Sequence, residues 1–263
     1  MKISPSDIGA TFAFLFLMSH GCLQPANGQQ NAFVGSGDTA LGSSSTLAGD
    51  SAANEIVSKV LAENDRRRQR LRRYTVVRTY EIRSGEGKVA AQAVVRMEFR
   101  APDERTFEQT SGKGSGIVGH LVFDQLMDSE SETSSGKQRL DSAITPANYI
   151  FHFAGEENLG PYHCLILQVV PRRKDKYLFE GRIWVETHDF AVAKIVGHPA
   201  KKPSFWINDA DFVREYQRVQ GFWLPLRDES QVEVRMYGKR VLTIQHGPYR
   251  ITEVSGTSAG HVN

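Results

Sequence analysis

The chain has 263 residues with 32 basic and 30 acidic side chains, so its formal net charge is +2. That near-balance argues against a protein that coats nucleic acid and against a strongly acidic interaction tail. Hydrophobic residues make up 40% of the chain and charged residues 24%, as in an ordinary globular protein. Two cysteines, Cys22 and Cys164, are too few for a disulfide framework or a zinc cage.

The N-terminus is typical of an export signal. Residues 8–18 form an apolar run of about half the length that a membrane-spanning helix needs, and small residues precede Gln29. This pattern predicts a signal peptide over 1–28, cleavage before Gln29 and a periplasmic location. The alternative is a lipid anchor on Cys22, because a glycine stands directly before that cysteine. No other run approaches ~18 apolar residues, so we do not expect the mature chain to span a membrane.

Export would leave Cys164 as the single cysteine of the mature chain. It lies in the apolar run 164–170, and a reactive thiol would need an environment that lowers its pKa. We therefore expect a buried, inert thiol.

An amphipathic helix is predicted after a flexible, Gly/Ser-rich tether over residues 29–50. The helix spans 51–73, with Ile56 and Val60 on one apolar face. Six arginines fall within 66–73, and Glu63 and Asp65 are the only acids close to them in the sequence. The cluster is either a solvated helix end, where cations complement the dipole, or a contact with anionic lipid. The membrane-contact candidates are Arg66, Arg67, Arg70 and Arg73.

The period changes to that of strands from Tyr74 onward. Three strands form a meander, a Gly-rich hinge at 112–116 follows, and apolar spacing predicts a second helix over 117–129. Further strands are predicted at short intervals after that helix. The predicted strands are 74–82, 89–99, 105–110, 148–153, 163–170, 177–186, 191–197, 212–219, 231–237 and 241–249.

Strands do not alternate with helices in this pattern, so the sheet should be mostly antiparallel. The prediction is an α+β fold: a strongly curved half-barrel of about ten strands, with the two helices covering its concave face. The domain should span 51–254, followed by a flexible tail over 255–263.

Apolar and aromatic side chains on the helices and strands either fill the core or line a cavity for a lipid tail, and the sequence leaves both interpretations open. The cavity-lining candidates are Ile56, Val60, Leu121, Leu126, Phe151, Phe179, Ile183 and Val234.

Motifs for catalysis or metal binding are weak. The eight histidines show no metal-binding spacing, and the chain has no Gly-x-Ser-x-Gly nucleophile elbow. His188 and Asp189 are adjacent in a predicted turn and could form a dyad, which keeps a hydrolase as a minor alternative. We assign no catalytic, metal or cofactor residue and expect a protein that is not an enzyme.

Five segments carry a resemblance to a known family: 53–57, 71–76, 181–186, 190–194 and 221–225. Together they resemble the LolA/LolB-like lipoprotein-carrier (outer-membrane lipoprotein-sorting) superfamily, over nearly the whole mature chain. The resemblance implies a curved antiparallel sheet closed by helices around a hydrophobic cavity that holds acyl chains. No residue matches a ligand contact of the family, so none is carried over.

The function that follows is a periplasmic, non-enzymatic carrier or chaperone for the acyl chains of lipids or lipoproteins. We expect it to need no cofactor, to approach anionic membrane transiently, to bind no nucleic acid and to be a monomer. The alternative is a sensory or structural envelope module of the same fold. In that case side chains fill the cavity and the protein binds a partner protein.

Overall fold

The computed structural model describes residues 44–114, 141–175, 177–202, 205, 207–236 and 238–255. The expected signal peptide with Cys22 and the expected helix over 117–129, with Leu121 and Leu126, lie outside the described residues. Most of the expected C-terminal tail lies outside them as well.

Helix α1 spans Ser44–Arg70. It begins within the segment expected to be a tether and ends at Arg70 rather than at residue 73. The reason for the earlier end is tertiary: strand β1 starts at the very next residue, and the end of the chain folds back onto the helix. The backbone N–H of Ser255 donates to the carbonyl of Arg70 at 2.8 Å, satisfying a helix-end acceptor.

Eleven strands are described. In chain order they are β1 Leu71–Ser84, β2 Val89–Arg100, β3 Glu104–Gly114, β4 Tyr149–Leu159, β5 Tyr162–Pro171, β6 Phe179–Glu186, β7 Ala191–Pro199, β8 Ile207–Val219, β9 Phe222–Val234, β10 Gly238–His246 and β11 Arg250–Val254.

These strands form one sheet in the order β3-β2-β1-β10-β9-β8-β7-β6-β5-β4, and β11 pairs with the first residues of β1. All of the pairings are antiparallel, as expected. Within the described part, β3 and β4 are the two edges and do not pair with each other, so the sheet is open. A half-barrel fits this arrangement, and the described part contains one helix over it.

Several strands differ from the sequence-based expectation, among them β3, β9 and β11. Gly112 and Gly114, expected in a hinge, belong to β3 and pair with Ala93 and Ala91 of β2. Strand β9 begins at Phe222 rather than at residue 231, and β11 was not expected at all. In each case pairing with a neighbouring strand outweighs a weak local signal.

Alternation along the strands gives the sheet two distinct faces. We call the face that α1 covers the inner face and the opposite one the outer face. Residues of α1, β1, β2 and β4–β10 meet in one large buried cluster on the inner face. A second inner-face cluster lies beneath the C-terminal end of α1, around Tyr74, Met97 and Leu224.

The outer face carries a small cluster formed by Cys164, Trp184 and Ala193. Cys164 is fully buried there, and burial raises the pKa of its thiol to about 11. The expectation of a buried thiol is therefore confirmed, and the raised pKa disfavours the reactive thiolate.

A glycine pair brings β6 and β7 unusually close together. Gly181 lies directly opposite Gly197, and a Cβ at Gly181 would stand 2.1 Å from the carbonyl oxygen of Val196. A Cβ at Gly197 would stand 2.7 Å from the ring of Phe179. The ring of Phe179 thus occupies space on the inner face that any side chain at residue 197 would need.

Candidate functional site

The inner face holds the described cavity-lining candidates. Val60, Phe151, Phe179, Ile183 and Val234 all belong to the large cluster, and each is 1% exposed. Ile56 is partly buried against the same cluster. The structure therefore brings these six residues, from α1, β4, β6 and β9, onto one continuous apolar surface.

Helix α1 contributes only short side chains to that surface. Ala53, Val57 and Val60 recur at helical spacing and enter the large cluster, while Ile56 and Leu61 pack along its flank. The helix thus contacts the sheet through a narrow apolar stripe.

A buried polar row crosses the inner face between the two apolar clusters. It consists of Arg214 of β8, Asp228 of β9, His246 of β10 and Tyr249, which follows β10. Arg214 donates to one carboxylate oxygen of Asp228, and His246 Nε2 lies 2.8 Å from the other. The Tyr249 hydroxyl lies 3.0 Å from His246 Nδ1 and 2.8 Å from the carbonyl of Pro225.

The charges of this row follow from its burial. Burial, reinforced by Arg78 and Arg214, lowers the pKa of His246 to about 4 despite its hydrogen bond to Asp228. For Asp228 burial acts in the opposite direction, yet Arg214 and His246 outweigh it and lower the pKa. At neutral pH Asp228 is therefore ionised and His246 is neutral, so Nε2–H donates to the carboxylate.

Between β10 and β11 the backbone leaves the strand conformation, and this irregular segment places Tyr249 in the row. Gly247 donates its N–H to the carbonyl of Val77 at 2.8 Å. A Cβ at Gly247 would stand 2.9 Å from that same oxygen, so the close approach needs glycine.

A cavity of about 170 Å³ opens where α1 ends, and we call it the α1-end pocket. It lies between the last turns of α1 and the ends of β1, β2 and β9. Its apolar walls include four aromatic rings, and its polar lining includes three arginines with one aspartate. The lining residues are Asn64, Arg67, Arg68, Leu71, Tyr74, Phe99, Pro102, Asp103, Arg105, Phe222, Trp223 and Leu224.

Stacking and charge pairing order the walls of the α1-end pocket. The rings of Tyr74 and Phe99 stack with centroids 5.0 Å apart, and the guanidinium of Arg105 lies 5.9 Å from the Phe99 ring. Arg68 donates from Nη2 to both oxygens of Asp103, at 3.1 and 3.2 Å.

Arg67 anchors a strained turn to the end of α1. Its guanidinium donates to the carbonyls of Asp189 and Phe190 at 2.7 and 3.2 Å, and to Asn64 at 2.9 Å. Phe190 has a φ of 45°, which is uncommon for a bulky residue. The contact therefore holds the turn between β6 and β7 against the helix.

The other membrane-contact candidates lie in different surroundings. Arg66 is exposed and pairs with Glu63, whereas Arg73 pairs with Glu98 at 2.8 Å. Arg70 is exposed, with its guanidinium 5.6 Å from the ring of Phe222. Folding thus supplies partners, such as Glu98, that are distant in the sequence.

The turn at His188 is bound to its neighbours through Asp189. His188 lies 3.0 Å from Asp189 but is highly exposed. The Asp189 carboxylate also accepts a hydrogen bond from Trp223 at 2.9 Å and pairs with Arg218 at 2.7 Å. These contacts tie the turn to the β8–β9 hairpin.

The described residues contain neither a metal-binding group nor a membrane-spanning helix. Among them, no group of three or more His, Cys, Asp and Glu side chains is placed to hold a metal ion. No described helix is both long enough and apolar enough to cross a membrane.

No protein-family model matches the chain, and no curated protein is similar to it. Solved structures that it resembles include a DUF1329 family protein from Desulfovibrio piger, at 13% identity and a TM-score of 0.40 over 81% of this chain and 94% of that one. A domain named for outer membrane lipoprotein sorting, from Vibrio parahaemolyticus, matches at 9% and 0.40, over 80% and 95%. A LolA superfamily protein from Nitrosomonas europaea matches at 9% and 0.36, over 75% and 94%.

The names of two of these structures agree with the superfamily that the sequence resembles. At such identities and TM-scores the likeness assigns neither a function nor a ligand to this chain.

Proposed function

We propose that the protein is a non-enzymatic carrier of the cell envelope that takes an acyl chain of a lipid or lipoprotein between α1 and the inner face. The observation that carries the proposal is the apolar inner face beneath α1. Side chains from nine strands form it, and the helix contacts it only through a narrow stripe.

The energies of closure and binding are of similar size. Burial of Val57 and Val60 contributes about 1.5–3 kcal/mol each. An acyl segment of about eight methylenes, at ~0.8 kcal/mol each, would recover about 6 kcal/mol on the same surface. A ligand chain can therefore replace the apolar contacts of α1 without a large net cost.

The α1-end pocket gives a ligand access to the second inner-face cluster, beneath the C-terminal end of α1. Phe222 and Leu224 line the pocket and also belong to the second inner-face cluster. At about 170 Å³ the pocket is smaller than the ~300–1,000 Å³ of a usual ligand site. It can hold one end of a ligand, and the remaining chain requires α1 to move away from the sheet.

The first test is native mass spectrometry of protein purified from its own membrane fraction. We expect an added mass equal to an acyl lipid, retained in detergent-free buffer. A clean protein mass, with no uptake when a dodecanoyl chain is added, would contradict the carrier.

The second test locates the chain by fluorescence. Bromine quenches indole emission at short range, so 2-bromododecanoic acid, whose bromine is next to the carboxylate, should quench Trp223 when that end of the molecule lies in the pocket, which Trp223 lines. Trp223→Phe should remove most of the quenching. Trp184→Phe is the matched control, because Trp184 is not among the residues that line the pocket, and most of the quenching should remain.

One observation favours the second candidate function, an envelope module that binds a partner protein. The inner-face residues are already almost completely buried without a ligand, as in a filled core. A clean mass in the first test, together with an unquenched Trp223 in the second, is the result that this module predicts.

A further inference from the structure

We propose that the α1-end pocket selects ligands with an anionic headgroup, and that it holds a carboxylate or phosphate at Arg68 and Arg105 while the first carbons of the chain lie on the aromatic wall. This inference rests on the proposed carrier function and adds the charge of the ligand to it.

Charge is the first reason. Among the described residues that line the pocket, three arginines face one carboxylate, that of Asp103. The C-terminal end of a helix by itself favours cations, because its carbonyls carry partial negative charge. The arginines reverse that preference at the end of α1, so the pocket complements an anion.

Hydrogen-bonding capacity is the second reason. Both bonds from Arg68 to Asp103 come from Nη2, and a guanidinium carries five N–H donors. Within the described residues, Nε and Nη1 of Arg68 donate no hydrogen bond, and the Arg68 side chain is 34% exposed. Asn64 accepts from Arg67 through its oxygen, which leaves its amide N–H groups as further donors at the same wall.

The shape of the pocket is the third reason. Tyr74, Phe99, Phe222 and Trp223 supply aromatic surface beside these donors. A volume of about 170 Å³ is close to that of an engineered cavity of ~150 Å³ that binds benzene. It therefore matches a headgroup with a few carbons rather than a whole acyl chain, and both its apolar and its charged walls would be used.

The test compares three ligands with the same twelve-carbon chain and different charge: dodecanoate, dodecanol and dodecyltrimethylammonium. Affinities are measured below micelle-forming concentrations at pH 8, by displacement of 2-bromododecanoic acid from Trp223. We expect wild-type protein to bind dodecanoate at least ~10-fold more tightly than dodecanol, and the cation most weakly.

Variants assign the preference to the pocket. Arg68→Gln and Arg105→Gln should each bring the dodecanoate-to-dodecanol ratio several-fold closer to one. Arg105→Lys should keep most of the preference, because the positive charge remains. Arg66→Gln is the matched control: it removes the same charge from the exposed side of α1 and should leave the ratio unchanged.

The outcomes separate this inference from the carrier proposal. Equal binding of dodecanoate and dodecanol by wild-type protein would overturn the headgroup inference and leave the carrier intact. A preference that survives in both Gln variants, each folded by its thermal unfolding curve, would overturn the assignment to this pocket. Failure of all three ligands to bind would overturn both proposals.

Discussion

Arginine and aromatic side chains meet in two places on the inner face, and the two places differ in how deeply the charged groups are buried. In the buried polar row, Arg214 and His246 share the carboxylate of Asp228 in surroundings that are almost fully buried. In the α1-end pocket, Arg68 and Asp103 pair while both remain partly exposed. The same chemistry is thus sealed in one place and open in the other.

The difference indicates which region can bind and which one holds the fold. A sealed charge must be compensated inside the protein, because water cannot reach it, so each member of the row depends on the others. A charge at an open rim can exchange one partner for another at little cost. We therefore assign the row to stability and the pocket to recognition.

The sharpest test of this contrast removes one carboxylate from each region. Asp228→Asn leaves Arg214 buried without its charge partner, and we expect the free energy of unfolding to fall by about 3–5 kcal/mol. Asp103→Asn, the matched change in the pocket, should cost about 0–1 kcal/mol. Urea denaturation of both variants measures the difference, and similar losses would show that the two regions do not differ as described.

Lowering the pH should destabilise the folded protein by protonating His246 of the buried polar row. The folded-state pKa of His246, about 4, lies below its ordinary value of 6.5. Folding thus favours the neutral ring. The resulting contribution of His246 to the free energy of unfolding is complete above pH ~6.5 and is lost as the pH falls toward 4. The shift corresponds to about 3 kcal/mol. Asp228, whose pKa is also lowered, acts in the same direction at still lower pH.

The measurement is the midpoint of urea unfolding at intervals from pH 7.5 to 4. His246→Gln removes the titrating group. The variant should be less stable than wild type at pH 7.5, and its stability should vary less with pH over this range. A wild-type protein whose stability is flat between pH 6.5 and 4.5 would contradict the neutral, sealed histidine.

Two adjacent arginines at the end of α1, Arg66 and Arg67, should differ in how much each contributes to stability, by a smaller amount than the two carboxylates. Arg67→Gln removes charged hydrogen bonds to two carbonyls of the strained turn, and we expect a loss of about 1.5–3 kcal/mol. Arg66→Gln removes an exposed pair with Glu63 and should change stability by no more than about 0.5 kcal/mol. Thermal unfolding of both variants compares them, and equal midpoints would mean that the turn is not held by Arg67.

Much of the fold could be predicted from the sequence, because strand alternation is a local signal. It predicted an antiparallel sheet of about ten strands and the residues of its apolar face. It did not predict β11 or the early start of β9, because those segments are ordered by the strands beside them. Residues such as Ser255, which caps α1 from the far end of the chain, have no local signal.

The polar row did leave a signal that the sequence analysis missed. Arg214 occupies the same alternation phase as Ala210 and Phe212, so it stands where an apolar residue is expected. Asp228 and His246 likewise share a phase with Val232 and Ile244. A polar residue in an apolar phase predicts a buried partner, although only the strand order shows which partner it has. The α1-end pocket left no such pattern, because its walls come from three separate segments, 64–74, 99–105 and 222–224.

The smallest expected effect concerns the membrane. Arg67 and Arg73 are partly buried, whereas Arg66, which pairs with Glu63, and Arg70 are exposed. We therefore expect Arg66 and Arg70 to carry the proposed contact with anionic lipid. Each arginine near such a surface is worth about 1 kcal/mol, and salt should weaken the attraction. Arg66→Gln with Arg70→Gln should therefore reduce sedimentation with anionic vesicles at low salt, while neutral vesicles serve as the control. Wild-type and double-variant proteins that sediment alike would show that these arginines only solvate the end of α1.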